Sequence, residues 1–206
     1  MFLNKIKPFV QQRILEDKKT IPLEQMKELA VHSPLPRPFI NQLKSKSFSI
    51  IAEIKPASPS AGNISENIQL QSLCRDYENG GAAAISILTE PDYFKGDLKR
   101  IKEAKKYTSL PILRKDFILD EYQIYQSRYA EADCILLIAA FIPIENLIQF
   151  IKTANDLKLC VLLEIHNLEE LNKIREIHPP LLGINNRNLK SLEVDIQISL
   201  DMAHMI

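Results

Sequence analysis

The sequence predicts an α/β protein built around a parallel sheet. From residue 48 onward, short apolar runs alternate with longer polar stretches of helical periodicity. This alternation is typical of repeated βα units, in which each helix returns the chain so that the next strand runs parallel to the last. With 206 residues, of which 46% are hydrophobic, the chain can bury one core. We therefore expect a single domain over residues 1–206.

Six strands are predicted, each a short apolar run that ends at polar or breaker residues. They are Ser49–Lys55, Ala82–Leu88, Pro111–Lys115, Cys134–Ala139, Cys160–Glu164 and Leu181–Asn185. The first is expected to be a buried central strand, because β-branched residues flank its two charges and Pro56 ends it.

Six helices alternate with these strands. They are Ile68–Asn79, Asp97–Thr108, Glu121–Ala130, Ile144–Leu157, Leu168–Ile177 and Ile196–His204. Asp120 is expected to cap the third helix, and Asn167, with Glu170 three residues later, to cap the fifth. Gly80 and Gly81 tolerate positive φ where the first helix ends.

Residues 1–45 do not follow the βα rhythm. They predict two amphipathic helices, Ile6–Asp17 and Leu23–Val31, followed by the proline-rich link Ser33–Pro38. We interpret this region as a helical N-terminal extension that packs on the rest of the domain.

Composition narrows the classes of function. Basic and acidic residues balance at 26 each, without a basic block, which argues against nucleic acid or an anionic membrane as partner. No apolar run approaches the ~20 residues of a membrane helix, and no secretory signal is evident. Cys74, Cys134 and Cys160 lack metal-ligand spacing, which favours reduced thiols in the cytoplasm. No nucleotide-binding, metal-binding or Ser/His/Asp pattern occurs, so we expect a small-molecule substrate and no cofactor.

Four of the six predicted strands end in polar groups. They are Glu53 and Lys55, Lys115-Asp116, Glu164, and Asn185-Asn186-Arg187. In parallel α/β folds the active site forms where the carboxyl ends of the strands converge. Two lysines and two glutamates in one half-buried pocket would shift each other's pKa values, which is how enzymes obtain an acid and a base near neutral pH.

Several of these residues also have a structural interpretation. Glu53 and Lys55 could form a buried ion pair without a function, and Asp116 could cap the following loop. Arg187 could fix its own loop, although a guanidinium also suits a carboxylate or a phosphate. His166 is interpreted as a polar residue at a helix N-terminus rather than as a catalytic group.

Seven short segments extend over most of the chain in a fixed order. They are Ala52–Gly62, Leu88–Gly96, Leu113–Phe117, Asp120–Ile124, Ala132–Ile138, Leu163–Glu164 and Gly183–Leu189. In sequence, order and spacing they resemble the indole-3-glycerol phosphate synthase family. The resemblance implies a (β/α)8 TIM barrel with a helical N-terminal extension.

The resemblance also implies an activity. Members of this family are lyases of tryptophan biosynthesis that close the indole ring of 1-(2-carboxyphenylamino)-1-deoxyribulose 5-phosphate, with loss of carbon dioxide and water and without a cofactor. By this resemblance Lys115 is the general acid, Glu164 takes part in later proton transfer, and Glu53 and Lys55 complete the catalytic set. The implied substrate-binding residues are Ser58, Phe94, Phe117, Leu136, Asn185, Arg187 and Leu189.

Six βα units are two fewer than an eight-stranded barrel requires, a difference of about 50 residues. In the family the last two units bind the substrate phosphate at helix N-termini. We therefore expect an incomplete barrel, completed by further C-terminal units or by another chain. The alternative hypothesis is a catalytically inert or assembly-dependent fragment without a phosphate site.

Two other folds or families fit less well. A phosphoribosylanthranilate isomerase would carry a cysteine at the end of the first strand, where this chain has Glu53-Ile54-Lys55. A flavodoxin-like open sheet shares the βα rhythm but does not require an inward-facing charge pair on its first strand.

Overall fold

The computed structural model of the chain describes residues 2–59, 62–64, 68–188 and 193–206. The helices in these ranges are α1 (Phe2–Thr20), α2 (Leu23–Val31), α3 (Phe39–Lys44), α4 (Leu70–Asn79), α5 (Pro91–Phe94), α6 (Lys99–Ala104), α7 (Glu121–Tyr129), α8 (Ile144–Asp156), α9 (Leu168–Lys173) and α10 (Gln197–Ala203). The strands are β1 (Ile51–Ile54), β2 (Ala57–Ser58), β3 (Gly62–Asn63), β4 (Ala84–Leu88), β5 (Ile112–Lys115), β6 (Cys134–Ile138), β7 (Cys160–Ile165) and β8 (Leu181–Ile184).

Six of these strands form one parallel sheet. Their order is β1-β4-β5-β6-β7-β8, so each strand pairs with the next long strand along the chain. Helices connect the successive strands, as in a (β/α) barrel. This arrangement confirms the predicted fold class, an incomplete TIM barrel of six βα units. None of the described helices is both long and apolar enough to cross a membrane.

The core lies on both faces of the central strands. Every residue of β4 and β6 is buried, as expected for parallel strands covered by helices on one face and by the barrel interior on the other. The residues of β7 from Leu163 to Ile165 are also buried, including the carboxylate of Glu164. The sheet thus provides a rigid support for side chains at its carboxyl edge.

The prediction of a buried central position for the first strand was wrong. β1 pairs only with β4 and forms an edge of the described sheet. Ile51, Ala52 and Glu53 are partly exposed, and Ile54 alone is buried. The apolar and charged pattern of a strand does not report how many neighbours it has, since pairing depends on residues far away in sequence.

The N-terminal helix is longer than predicted at both ends. α1 runs from Phe2 to Thr20 through Pro8, and Leu3, Ile6, Val10 and Ile14 form its buried stripe. A proline inside a helix costs about 3 kcal/mol. Each buried aliphatic side chain stabilises the fold by roughly 1.5–3 kcal/mol, so the stripe offsets that cost.

Other helix boundaries differ from the predictions. The predicted helix Asp97–Thr108 is regular only over α6, and α9 ends four residues before its predicted end at Ile177. Neither α3 nor α5 was predicted. Pro91 occupies the first turn of α5, where proline is well tolerated.

The predicted caps are confirmed. Asp120 caps α7, and Gln123 completes a reciprocal capping box with it. The Asn167 side chain accepts the backbone N–H of Glu170 at 2.9 Å and so caps α9. Gly81 adopts a φ of 82° after the end of α4.

Candidate active site

A cavity of about 290 Å³ lies at the carboxyl edge of the sheet. Every predicted site residue that the structure describes lines it: Glu53, Lys55, Ser58, Phe94, Lys115, Phe117, Leu136, Glu164, Asn185 and Arg187. The remaining predicted residue, Leu189, lies outside the described residues. The side chains of six elements thus meet around one space.

Lys115 and Glu164 form an ion pair across this cavity. Lys115 ends β5 and Glu164 lies in β7, so the pair spans the intervening strand β6. The Lys115 Nζ atom donates to Glu164 Oε2 at 2.9 Å, and Asn185 Nδ2 donates to Oε1 at 3.1 Å. The Glu164 side chain is 10% exposed and that of Lys115 is 27% exposed. The carboxylate is therefore held by strand-borne groups in a largely dry setting.

The pKa of Glu164 reflects a balance between burial of the carboxyl group and its interactions with neighbouring cations. Burial would raise the pKa of this carboxyl group, but interactions with His166 and Lys115 outweigh burial and lower it to about 2. Glu164 is consequently ionised at neutral pH. An ionised, oriented carboxylate next to an ammonium can accept a proton from a bound ligand.

Glu53 and Lys55 form a second ion pair at the cavity wall. The Lys55 Nζ atom lies 2.7 Å from Glu53 Oε1, and the side chains are 37% and 33% exposed. Ion pairs this exposed contribute about 0–1 kcal/mol to stability. Folding stability alone therefore gives little reason for the two charges to lie here.

Asp116 lies in a buried ionic network directly behind Lys115. Its carboxylate accepts hydrogen bonds from Arg114 Nη2 at 2.8 Å, Thr89 Oγ1 at 2.6 Å and Arg13 Nη2 at 3.1 Å. Burial opposes its ionisation, but Arg114 and Arg13 together lower its pKa. Asp116 also accepts the backbone N–H of Phe117, so the network fixes the backbone on the carboxyl side of Lys115.

Aromatic side chains form an aromatic wall of the cavity, which consists of Phe2, Phe94 and Phe117. The ring centroids of Phe94 and Phe117 lie 6.1 Å apart. Phe2 packs edge-on against both, at 6.3 and 6.0 Å. The wall suits a planar apolar ring, because aromatic rings pack favourably against one another in edge-to-face or offset-stacked arrangements.

Comparison with known proteins identifies the family of the chain. The profile of the indole-3-glycerol phosphate synthase family matches residues 3–206. The chain belongs to this family. An indole-3-glycerol phosphate synthase of Neisseria meningitidis serogroup C is 43% identical over 204 residues, which cover 97% of this chain and 78% of that protein. Another, of Ruminiclostridium cellulolyticum, is 40% identical over 208 residues, which cover 100% of this chain and 80% of that protein.

Two predicted polar residues, Ser58 and Asn185, line the cavity from the segments that follow β1 and β8. Ser58 lies in β2, which pairs in antiparallel fashion with β3, so it belongs to a short ladder rather than an open loop. Asn185 accepts the backbone N–H of Arg187 through its Oδ1 atom at 3.0 Å. The Asn185 side chain therefore connects the Arg187 loop to Glu164.

Sequence reasoning missed the contribution of the N-terminal helix to this synthase-family site. Phe2 and Leu3 line the cavity, as do Leu88 and Ile138 from the strands. No sequence signal distinguishes Phe2 from any other apolar residue at a chain end, because its position depends on how α1 docks. Leu88 and Ile138 are easier to predict, since each is the last residue of a buried strand.

The described residues contain no group of three or more His, Cys, Asp and Glu side chains arranged to hold a metal ion.

Proposed function

We propose that this chain is a carboxy-lyase that closes the indole ring of 1-(2-carboxyphenylamino)-1-deoxyribulose 5-phosphate, with loss of carbon dioxide and water. The observation that carries the proposal is the Lys115–Glu164 ion pair, which lines the same cavity as the aromatic side chains of Phe94 and Phe117. Ring closure needs a proton donor and a proton acceptor beside an anchored aromatic ring. Family membership supports the same reaction.

Lys115 acts as the general acid in this proposal. When the electron-rich ring carbon attacks the carbonyl carbon of the substrate, negative charge develops on the carbonyl oxygen. An ammonium within hydrogen-bonding reach collects that charge and stabilises the transition state. The ion pair with Glu164 and the Asp116 network restrict Lys115 before the substrate binds.

Glu164 acts as the base in the later dehydration. Loss of water restores aromaticity only when a proton leaves the ring system, and the Glu164 carboxylate is ionised and oriented to take it. Glu53 and Lys55 supply a second acid–base pair in the same cavity. Separate substitution of Lys55 and Lys115 distinguishes which lysine acts in ring closure and which in the loss of water.

The remaining lining residues bind the substrate. Phe94, Phe117 and Leu136 surround the anthranilate ring, and the family resemblance implies the same role for Leu189. Ser58, Asn185 and Arg187 hold its polar atoms. A guanidinium at the rim suits either the carboxylate that is lost or the phosphate.

The test is the appearance of indole fluorescence when the purified chain is mixed with the substrate. We expect Lys115→Ala and Glu164→Gln each to lower kcat about 10²–10⁴-fold, the usual contribution of a general acid or base. Lys152→Ala is the matched control, because Lys152 is exposed on α8 and lies outside the cavity. Wild-type kcat in both cavity variants would refute the proposal.

The second candidate is an assembly-dependent or catalytically inert form. It is favoured by the positions of β1 and β8, each of which pairs on one side only within the described sheet. Turnover that rises with the square of protein concentration would indicate completion by another chain. Absence of both turnover and substrate binding at micromolar concentrations would indicate the inert form.

We place the reaction in the cytoplasm, because the three cysteines are free thiols. The phosphorylated substrate is a small molecule.

A further inference from the structure

His166 lies between two carboxylates immediately after β7. Its Nε2 atom is 3.4 Å from Glu164 Oε1, and its Nδ1 atom is 3.1 Å from Glu170 Oε2. The residue is only 7% exposed. A buried imidazole with a carboxylate on each ring nitrogen is favoured in its doubly protonated, cationic form.

Glu170 is itself fixed in the first turn of α9. Its Oε2 atom also accepts the backbone N–H of His166 at 2.9 Å, and its Oε1 atom accepts Asn167 Nδ2 at 2.9 Å. The cap of α9 is provided by Asn167, so the His166 ring has no capping role. Its interpretation as a polar residue of a helix N-terminus therefore does not account for the contact with Glu164.

The contact with Glu164 is an ion pair rather than a tight hydrogen bond. At 3.4 Å it is longer than a well-formed N–H···O bond, and Nε2 has no hydrogen-bond partner among the described residues. Burial alone would lower the pKa of His166, but Glu164 and Glu170 outweigh burial and raise it to about 9. The imidazolium thus acts on Glu164 mainly through its charge.

Charged groups surround this arrangement on both sides. Lys115 of β5 faces Glu164 from within the active-site cavity, which His166 does not line. His166 and Glu170 line a second cavity of about 560 Å³, together with Glu169 of α9 and Asp201 of α10. Of the acidic groups on that side, Glu170 is the one in contact with the imidazole, and it favours the protonated form.

Resting on the proposed function, we propose that His166 is a positioning residue that keeps Glu164 ionised and oriented for proton transfer, and that Glu170 holds the imidazolium in place. Two cations, Lys115 at Oε2 and His166 at Oε1, then stabilise the ionised form of the Glu164 carboxylate. Removing the histidine charge leaves Lys115 as the remaining cation in contact with Glu164 and raises the pKa of this carboxyl group. Substrate binding changes little, because His166 lies outside the lining of the active-site cavity.

The first experiment measures protonation and does not depend on activity. The histidines are labelled and titrated by NMR, and the signal that His166→Gln removes is assigned to His166. We expect it to titrate at about 9 in the wild type and at lower pH in Glu170→Gln. With labelled glutamate, the Glu164 carboxyl signal should stay fixed between pH 4 and 7 in the wild type and begin to titrate in His166→Gln. A wild-type His166 that titrates near the ordinary value of about 6.5 would overturn the inference.

The second experiment compares pH profiles of kcat for the wild type, His166→Gln and the exposed control His178→Gln. We expect kcat to fall about tenfold in His166→Gln, a fraction of the ~10²–10⁴-fold contribution of a general base, with KM within about twofold. The acid limb should move to higher pH. Glu170→Gln should cause a smaller change in the same direction. It provides the test if His166→Gln does not fold.

The two experiments separate this inference from the proposed function. A wild-type chain that forms no indole product would refute the function, while the titrations of His166 and Glu164 would still decide whether the imidazolium controls the carboxylate. An active chain whose kcat profile is identical in His166→Gln and His178→Gln would overturn the inference alone.

Discussion

Arg13, in the N-terminal helix, lies 3.1 Å from Asp116 at the carboxyl end of β5. The same guanidinium approaches Glu90 at 3.4 Å, and Glu90 caps α5 next to the aromatic wall. One side chain of the helical extension therefore contacts both the end of β5 and the cap of α5. The extension is part of the construction of the site.

Replacing Arg13 should lower the stability of the folded protein and disturb the active site. Arg13→Met leaves Asp116 with Arg114 and Thr89 but removes a cation from two largely buried carboxylates. We expect a loss of about 1–3 kcal/mol in the free energy of unfolding, measured by urea titration. The control Lys5→Met, at an exposed position of the same helix, should change it by less than about 0.5 kcal/mol. Equal stabilities of the two variants would contradict this account of Arg13.

Removing the ring of Phe2 should affect substrate binding more than turnover. Phe2 lines the cavity and contacts Tyr93, Phe94 and Phe117, so Phe2→Ala opens the aromatic wall without touching a charged residue. Each lost aromatic contact is worth about 0.5–1.5 kcal/mol. We expect KM to rise about tenfold, with a smaller change in kcat.

Phe9→Ala is the matched control for Phe2. Phe9 also packs edge-on against Tyr93, at 5.6 Å, but it is 48% exposed and lies outside the cavity lining. An equal rise of KM in both variants would show that the helix as a whole, rather than the Phe2 ring, supports the wall.

Stability should depend on pH in two separate windows. The pKa of His166 is raised in the folded state, so its stabilising contribution is complete below about 6.5 and is lost as the pH rises through about 9. That difference corresponds to on the order of 3 kcal/mol. The pKa of Glu164 is lowered, so its contribution is present above about 4.5 and is lost as the pH falls through about 2.

Urea unfolding of the wild type and His166→Gln at several pH values measures the alkaline window. The wild type should lose stability between pH 6.5 and 9 relative to the variant. A constant difference between the two proteins across this range would contradict the raised pKa of His166.

Much of the site could be predicted because it follows from one property of parallel sheets. Glu53, Lys115, Glu164 and Asn185 all lie at or near the carboxyl ends of strands, and those ends converge whatever the details of packing. A sequence pattern with alternating strands and helices is sufficient to place such residues at one edge.

The missed features depend instead on packing between distant segments. Phe2 and Arg13 reach the site because the buried stripe of α1 packs into the hydrophobic core, and no local pattern specifies that packing. His166 follows a strand by a single residue, but its role depends on the orientation of its ring between Glu164 and Glu170. The edge position of β1 is likewise a property of the assembled sheet.

The central claim is that Lys115 and Glu164 act as one acid–base unit, and a double-mutant cycle on kcat/KM tests it most directly. The measurement compares the wild type, Lys115→Ala, Glu164→Gln and the double variant. Because residues that act as a unit are strongly non-additive, we expect the double variant to be about as slow as the slower single variant. Effects that multiply, so that the double variant is slower by the product of the two single losses, would contradict the claim.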